Sequence, residues 1–503
     1  MRGTVTSATL QWTAPERITV LALATLVVLL TVRGSLGLTA DPLRIIVVCM
    51  IAAAALALVA KYPAAFIAPV LFIPGVMEVP VLRGFGPAQN LNALQLTSGL
   101  LAAGIILRWM AGARHQPSRA VAGWSESPMA LYLRQARRAR IAFLLFAGIV
   151  AVSFTFTLAP NYGGAKLLGF LTLGVGLFFA PILLFQHEHD LRDFTVGTVL
   201  FGLAVAASSI SFSSTGAIGA GENPAHIGKG QAIGLALLVL AYWRFRDRRQ
   251  RAAALLFCIP FLALGLISAE TRGPLFSLLF VLLLSIMARS MRPPQVARKQ
   301  MVLIAAAIVA AVVILSAYWF YGTEASRFRS KSNEIVALLQ GSDEAHGTAV
   351  MRLDYYRAAI DIWLQKPLLG WGVGGWSMAY WQRDISQYPH NLICEVLTEQ
   401  GFVGALALLY FLFAVFRQLR ACLTETMEVF PVLLPGLIYV LGLTMFSGAI
   451  DDNRFVWFWC GLSLSGCELS LRTSNAGEPN EDQISHPDAS KPLALTNLAT
   501  SDR

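Results

Sequence analysis

The chain has 503 residues, 56% of them hydrophobic and only 14% charged, with a formal net charge of +10 and a mean hydropathy of +0.61. Apolar runs repeat through most of the length, which excludes an ordinary soluble enzyme and implies an all-α polytopic membrane protein. The six cysteines, Cys49, Cys258, Cys394, Cys422, Cys460 and Cys467, show no CxxC or metal-ligand spacing, so neither a disulfide framework nor a cysteine-bound metal is implied. Buried, inert thiols are expected instead.

In chain order, candidate spans lie near Ile18 to Val32, Leu43 to Ala60, Ala64 to Val81, Leu94 to Met110, Ile141 to Ala159, Leu167 to Leu184 and Phe194 to Ile210. They continue near Gly230 to Trp243, Ala252 to Ser268, Pro274 to Ala288, Met301 to Tyr321, Phe402 to Phe416, Phe430 to Ile450 and Phe455 to Leu471. The expectation is about 12 to 14 transmembrane helices, since roughly twenty apolar residues cross a bilayer. The first run is flanked by Arg17 and Arg33 and lacks a small-residue cleavage site, so it reads as a retained span rather than a signal peptide.

Basic residues cluster after even-numbered spans. Arg108 to Arg140 follow the fourth, Arg244 to Arg251 the eighth, Arg289 to Lys299 the tenth, and Arg417 with Arg420 the twelfth. Because Lys and Arg concentrate in cytoplasmic loops, both termini are expected on the cytoplasmic side. The positive charge then follows from topology and calls for no nucleic-acid partner. The polar tail, Arg472 to Arg503, is expected to be disordered in the cytoplasm.

Odd-numbered gaps become the outer face, and only one is large: the stretch from Gly322 to Gly401, an extracytoplasmic loop expected to contain short helices. Within it a helix is predicted from about Ala349 to Gln365, with Arg352, Tyr356, Ala359 and Trp363 on one face and Lys366-Pro367 as its stop. Gly370-Trp371-Gly372-Val373-Gly374-Gly375 could cradle a phosphate, but no strand precedes it and no Gly-Lys-Ser/Thr follows. A turn that lets backbones pack closely is the better reading. The loop's tryptophans fit an interfacial belt or, for one or two, sugar stacking.

Pro389-His390-Asn391 opens another helical pattern, with Asn391, Glu395 and Glu399 down one stripe. His390, where the loop re-enters the membrane, could take a proton from a hydroxyl near neutral pH. Glu395 and Glu399 could orient it, or cap and hydrate the helix, which is the better reading of Glu399. Arg272, in Thr271-Arg272-Gly273, stands at a membrane boundary between apolar spans, a placement that either snorkels or binds an anion. A guanidinium fork suits phosphate, and Arg352 could supply a second.

Thr271-Arg272-Gly273, Arg352 followed by Trp363 and Pro367-Leu368-Leu369-Gly370-Trp371-Gly372, and His390-Asn391 followed by Glu395, Glu399, Gly401 and Gly404 together resemble the O-antigen ligase and O-antigen polymerase-like membrane glycosyltransferases. Asn223-Pro224 with His226 is similar to a further family element. The resemblance runs from about Asn223 to Ile450, with Thr271 where the family often has Ser. It implies glycosyl transfer at the outer face of the bacterial inner membrane. The donor would be an undecaprenyl-diphosphate-linked glycan, and the acceptor a sugar hydroxyl on lipid A core or a growing polysaccharide, with no nucleotide sugar, cofactor or metal. His390, Arg272 and Arg352 are the implied catalytic set; Asn391, Glu395, Asn223, Trp363 and Tyr356 are implied substrate contacts. The implied organisation is N-terminal transmembrane helices over 1–210, a catalytic region over 211–450 that includes loop 322–401, a last span over 451–471, and the tail 472–503.

Two other features attract attention. His187-Glu188-His189-Asp190 lacks the helical metalloprotease spacing and reads as a solvated cytoplasmic face, while Asp451-Asp452 could hold Mg but more simply caps a helix. The competing function is a transporter or flippase for a lipid-linked oligosaccharide or small solute. Carriers place ionisable groups and broken helices near mid-membrane, and here the predicted spans are almost free of central charge, which favours the enzyme.

Overall fold

The computed structural model describes residues 67, 71, 128–185, 187–212, 224–242, 249, 252, 254–269, 272–290, 348–425, 432–446 and 448–476. Every regular element among them is helical, as expected of an all-α membrane protein. The spans predicted before Ala111 (apart from helical Ile67 and Leu71), the span Met301 to Tyr321, the loop start Arg327 to Glu344, and Asn223 lie outside the described residues.

Helix α1 (Pro128–Ser153) ends in a 3-10 turn, Phe154–Phe156, and α2 (Pro160–Gly169) runs through a π-turn, Phe170–Gly174, into α3 (Val175–Leu184). Then come α4 (Glu188–Phe212), α5 (Pro224–Tyr242), a π-turn Ala254–Cys258 with α6 (Ile259–Ser268), and α7 (Arg272–Ser290). The stretch between residues 322 and 401 contributes α8 (Thr348–Gln365) and α9 (Gly375–Trp381), followed by α10 (Leu392–Glu425), α11 (Leu433–Thr444) and α12 (Arg454–Ala476). Among the described residues three helical stretches are long and apolar enough to cross a membrane: Arg134–Phe156, Pro160–Leu184 and Leu392–Arg420.

Two packed groups build the bundle. In one, α10 lies against α1, and α12 against α3; in the other, α4, α5 and α6 pack together, and α7 meets α11. The first is cemented by aromatic rings: Phe143 stacks on Phe178 at 4.0 Å between centroids, with Phe411 at 5.1 Å and Trp457 at 5.7 Å. The second relies on small residues that let helices approach, as membrane bundles commonly do. A Cβ added at Gly265 would lie 2.4 Å from the Cβ of Ala206. Outward, α10 presents Phe402, Leu406, Leu409, Tyr410 and Phe413, an exposed apolar stripe at helical spacing that suits lipid and not water.

Some boundaries move. The predicted span Phe402 to Phe416 is the second part of α10, which begins ten residues earlier at Leu392 and holds Glu395 and Glu399 within it. Arg134 to Arg140 belong to α1 rather than to a loop, and Arg140 pairs with Glu468 of α12. Helix α12 runs to Ala476, five residues into the stretch read as tail. Cys258, Cys394, Cys460 and Cys467 form no disulfide, but Cys258 and Cys394 are only half-buried, because their helix faces are not fully covered.

Candidate active site

The connections α1–α2, α6–α7 and α11–α12 gather at one end of the bundle around residues 366–391. Tyr356 of α8 donates its hydroxyl to the Met445 carbonyl at 2.9 Å, and Gly273 at the start of α7 packs against Phe446. At the α1–α2 turn, Thr157 Oγ1 donates to the Val373 carbonyl at 2.7 Å. Asp384 caps α2: the Asn161 and Tyr162 N–H groups donate to its two carboxylate oxygens at 2.8 and 2.9 Å, a favourable place for an anion at a helix N-terminus. Among the described residues the other end carries the His187–Asp190 turn and the Arg140–Glu468 pair.

Helix α8 matches its predicted bounds to one residue and stops at Lys366-Pro367. Tyr355, Ala359 and Ile362 pack on Trp376 as a small apolar cluster of its own. Trp363 is turned to the helix end, where its Nε1 donates to the Pro367 carbonyl at 3.0 Å, and Lys366 Nζ lies 3.9 Å over the Trp371 ring.

The glycine-rich segment is a packing device. Gly370, Gly372 and Gly374 all have positive φ, and a Cβ on each would lie within 3 Å of backbone: at Glu399, at Thr157 and at Gly163 respectively. It also fills a break in α10. Gly401 (φ 66°, ψ −162°) interrupts the helix, and its orphaned backbone groups find partners in residues 367–372. Phe402 and Val403 N–H donate to the Pro367 and Leu368 carbonyls (2.8 and 3.2 Å), while Trp371 and Gly372 N–H donate to those of Thr398 and Glu399 (2.9 and 2.8 Å).

His390 lies immediately before α10 with φ 57°, a left-handed conformation uncommon for a residue with a side chain and typical of constrained functional positions. Its ring is parallel to Tyr355 at 6.1 Å and 4.4 Å from Tyr388, and its carbonyl accepts a long 3.4 Å bond from Tyr356. Burial raises the hydroxyl pKa of Tyr355, Tyr356 and Tyr388, and the nearby Arg352 guanidinium opposes that rise at Tyr356 and Tyr388. The three phenols therefore stay protonated, each an O–H that can donate, accept or stack by its ring. Arg352 is half-buried. Its charge thus acts on Tyr356 and Tyr388, the two tyrosines nearest the His390 carbonyl and ring. Arg272 is the first residue of α7, next to Gly273 on Phe446, so the backbone brings it to the Met445–Phe446 turn that Tyr356 and Asn391 also reach.

Asn391 is the N-cap of α10: its Oδ1 accepts the Ile393 and Cys394 N–H groups at 3.0 and 3.1 Å. The helix therefore starts at Leu392, after Pro389, rather than with proline in its first turn. Glu395 and Glu399 are fully buried, and neither hydrates a helix surface. Both pair with Lys166 of α2, Glu399 at 2.6 Å, and Glu395 also accepts the Ile450 N–H at 3.1 Å. Lys166 escaped the sequence pattern because it sits directly before the apolar run Leu167 to Leu184 and reads as a flanking cation. A lone lysine at the edge of a span, four residues after a tyrosine, was the available signal.

Residues 257–409 match the family described as O-antigen ligase. Over that stretch the chain is similar to the O-antigen ligase family. The match contains Arg272, Arg352, Tyr356, Trp363, His390, Asn391 and Glu395, but it leaves out Asn223, Lys166 and the Asp451 turn. The family is one of ligase- or polymerase-type membrane glycosyltransferases acting on lipid-linked glycan and polysaccharide substrates. No curated protein gives a significant match to the chain. His187, His189 and Asp190 bring three ligand atoms within 4.8 Å of one another. Asp190, however, also accepts the His187 N–H as the cap of α4, and the group lies at the far end from His390.

Proposed function

We propose that the chain transfers a glycan from an undecaprenyl-diphosphate donor to a sugar hydroxyl at the outer face of a bacterial inner membrane, with both termini in the cytoplasm. The observation that carries this is the placement of His390: a constrained imidazole between two tyrosine rings, beside Arg352 and near the start of the Arg272 helix, at one end of a membrane bundle. The acceptor oxygen attacks the anomeric carbon from the side opposite the diphosphate, and a His390 ring nitrogen takes the hydroxyl proton. The bond from carbon to the diphosphate oxygen breaks with its electron pair on the leaving group, and the stereocentre inverts. Arg272 and Arg352 stabilise the charge that grows on the diphosphate. Asn391, Glu395, Asn223, Trp363 and Tyr356 shape the pocket in this reading, with Asn391 and Glu395 acting through the backbone they hold. The acceptor is lipid A core in a ligase, or a growing O-antigen or exopolysaccharide chain in a polymerase.

The carrier alternative draws on the helix break at Gly401 and the buried charges near it, features that transporters use. Here the four backbone hydrogen bonds from residues 367–372 occupy the break, so those groups are not offered to a solute. The test is transfer by purified protein in EDTA, from an undecaprenyl-diphosphate glycan to candidate acceptors, for wild type, His390→Ala and Arg272→Ala. Product from wild type and loss in both variants supports the reading. Equal activity in all three overturns the site, and no product with any acceptor from folded wild type turns attention to a carrier.

A further inference from the structure

The bundle buries one ammonium among an excess of carboxylates. Lys166 is fully buried on α2, ion-paired with Glu395 and Glu399 one turn apart on α10, and lies 5.3 Å from the Tyr162 ring centre on its own helix. From the turn before α12, Asp451 closes the same space: a Cβ on Gly169 of α2 would sit 3.1 Å from its Oδ2. Three buried carboxylate oxygens, Glu395 Oε2, Glu399 Oε2 and Asp451 Oδ1, have no hydrogen-bond partner among the described residues. A single positive charge thus holds together acidic groups that would repel one another in a medium unable to screen them.

The cluster is also joined to the pocket by a continuous set of bonds. Glu395, held by Lys166, accepts the Ile450 N–H. Ile450 belongs to the connection that begins at Met445, and the Met445 carbonyl accepts the Tyr356 hydroxyl at 2.9 Å and the Asn391 Nδ2 at 3.4 Å. Tyr356 and Asn391 in turn flank His390, one bonded to its carbonyl and the other following it in the chain. We infer that Lys166, on a helix outside the family-matched stretch, is a positioning residue for the outward pocket: its ammonium holds Glu395 and Glu399 together, and so fixes, through the bond from Ile450 to Glu395, the connection before α12 against which His390 is set. The inference rests on the glycosyl-transfer reading and deepens it.

Removing the ammonium leaves two facing carboxylates, whose repulsion acts only while both are ionised, so the defect carries a pH signature that loss of packing alone lacks. Tyr162 and Asp451 are the other titratable groups that face the pair. The experiment compares full-length wild type, Lys166→Met and Lys166→Met/Glu399→Gln in nanodiscs. Transfer and thermal midpoint are measured from pH 5.5 to 8.5. At pH 8, Lys166→Met is expected to transfer at a tenth of the wild-type kcat or less, with donor KM changed about twofold at most. Its ratio to wild type should climb as pH falls and the carboxyls take up protons. The double variant, which restores the wild-type charge balance, should recover most of the lost rate at pH 8. A constant ratio to wild type across pH, or a double variant no better than Lys166→Met, overturns the inference. With Glu399→Gln as the fourth variant, thermal unfolding gives a double-mutant cycle for the Lys166–Glu399 pair, which needs no turnover; absence of coupling there also overturns the inference. Absence of transfer by wild type is a different failure, that of the glycosyl-transfer reading.

Discussion

The two ends of the first helix group are built on different principles. Away from His390, Phe143, Phe178, Phe411 and Trp457 fill space with rings whose contacts have preferred angles but no obligatory partner. At the end that carries His390, beside the small cluster around Trp376, directional contacts set the geometry: Asp384 on the α2 N-terminus, Thr157 on Val373, four backbone bonds across the Gly401 break, and Lys166 on two carboxylates. The ring core tolerates exchange of shape at constant volume, whereas the His390 end depends on particular atoms. Stability and chemistry are therefore expected to respond to different substitutions.

The largest test of that contrast is Phe143→Ala. It should lower unfolding free energy by about 3–5 kcal/mol while leaving transfer per folded molecule unchanged, measured by thermal unfolding beside turnover. A matching loss of specific activity would erase the distinction between the ends. His390→Ala should do the reverse, with a fall of at least ~100-fold in transfer, about 2.7 kcal/mol of barrier, and an unchanged thermal midpoint. Gly372→Ala places a methyl 2.6 Å from the Thr157 Cα at a positive φ, so it should cost about 1–3 kcal/mol and free the loop from α1. Limited proteolysis between residues 366 and 391 would show the release, and an unchanged cleavage rate would mean the glycines are not what docks the loop.

The smallest effect concerns Asp451. Burial, with repulsion from Asp452, raises its carboxyl well above the ordinary 3.8, against the attraction of Lys166. A raised folded-state pKa means that the native state holds the proton more tightly. That contribution to stability is fully present below the unfolded value near 3.8 and is lost as pH rises through the folded one. Asp451→Asn should therefore match wild type near pH 3.5 and be the more stable of the two at pH 8. Thermal midpoints across that range check it, and a gap that is widest in acid would contradict the assignment.

Much of this was legible in the chain. The apolar runs located the helices because burial in lipid demands length and hydropathy, and α8 was bounded to one residue because it contains neither Gly nor Pro and ends on Lys366-Pro367. The glycine segment also read correctly as a close-packing turn, since nothing around it had the grammar of a phosphate loop. The helix opening after His390 was read too, but not its continuation into the span Phe402 to Phe416 nor the burial of its first turns. Glu395 and Glu399 interrupt the hydropathy that marks a span, and only a cation two hundred residues earlier in the chain makes their burial tolerable. The same logic hid Lys166, whose charge looks like a boundary until its partners are known. Asn391 was given a substrate role by the family resemblance, yet its amide is also a good helix cap, and a single chain does not separate the two uses.

The break at Gly401 has a consequence for biogenesis. Its unpaired backbone groups belong to a segment that crosses lipid, where water is no substitute partner, and residues 367–372 supply every bond that closes it. Those residues leave the ribosome before α10 does, so the template for the bend is already translated when the helix that needs it enters the bilayer. Synthesis order and membrane insertion thus run in the same direction, and the bent helix can be completed as it is made.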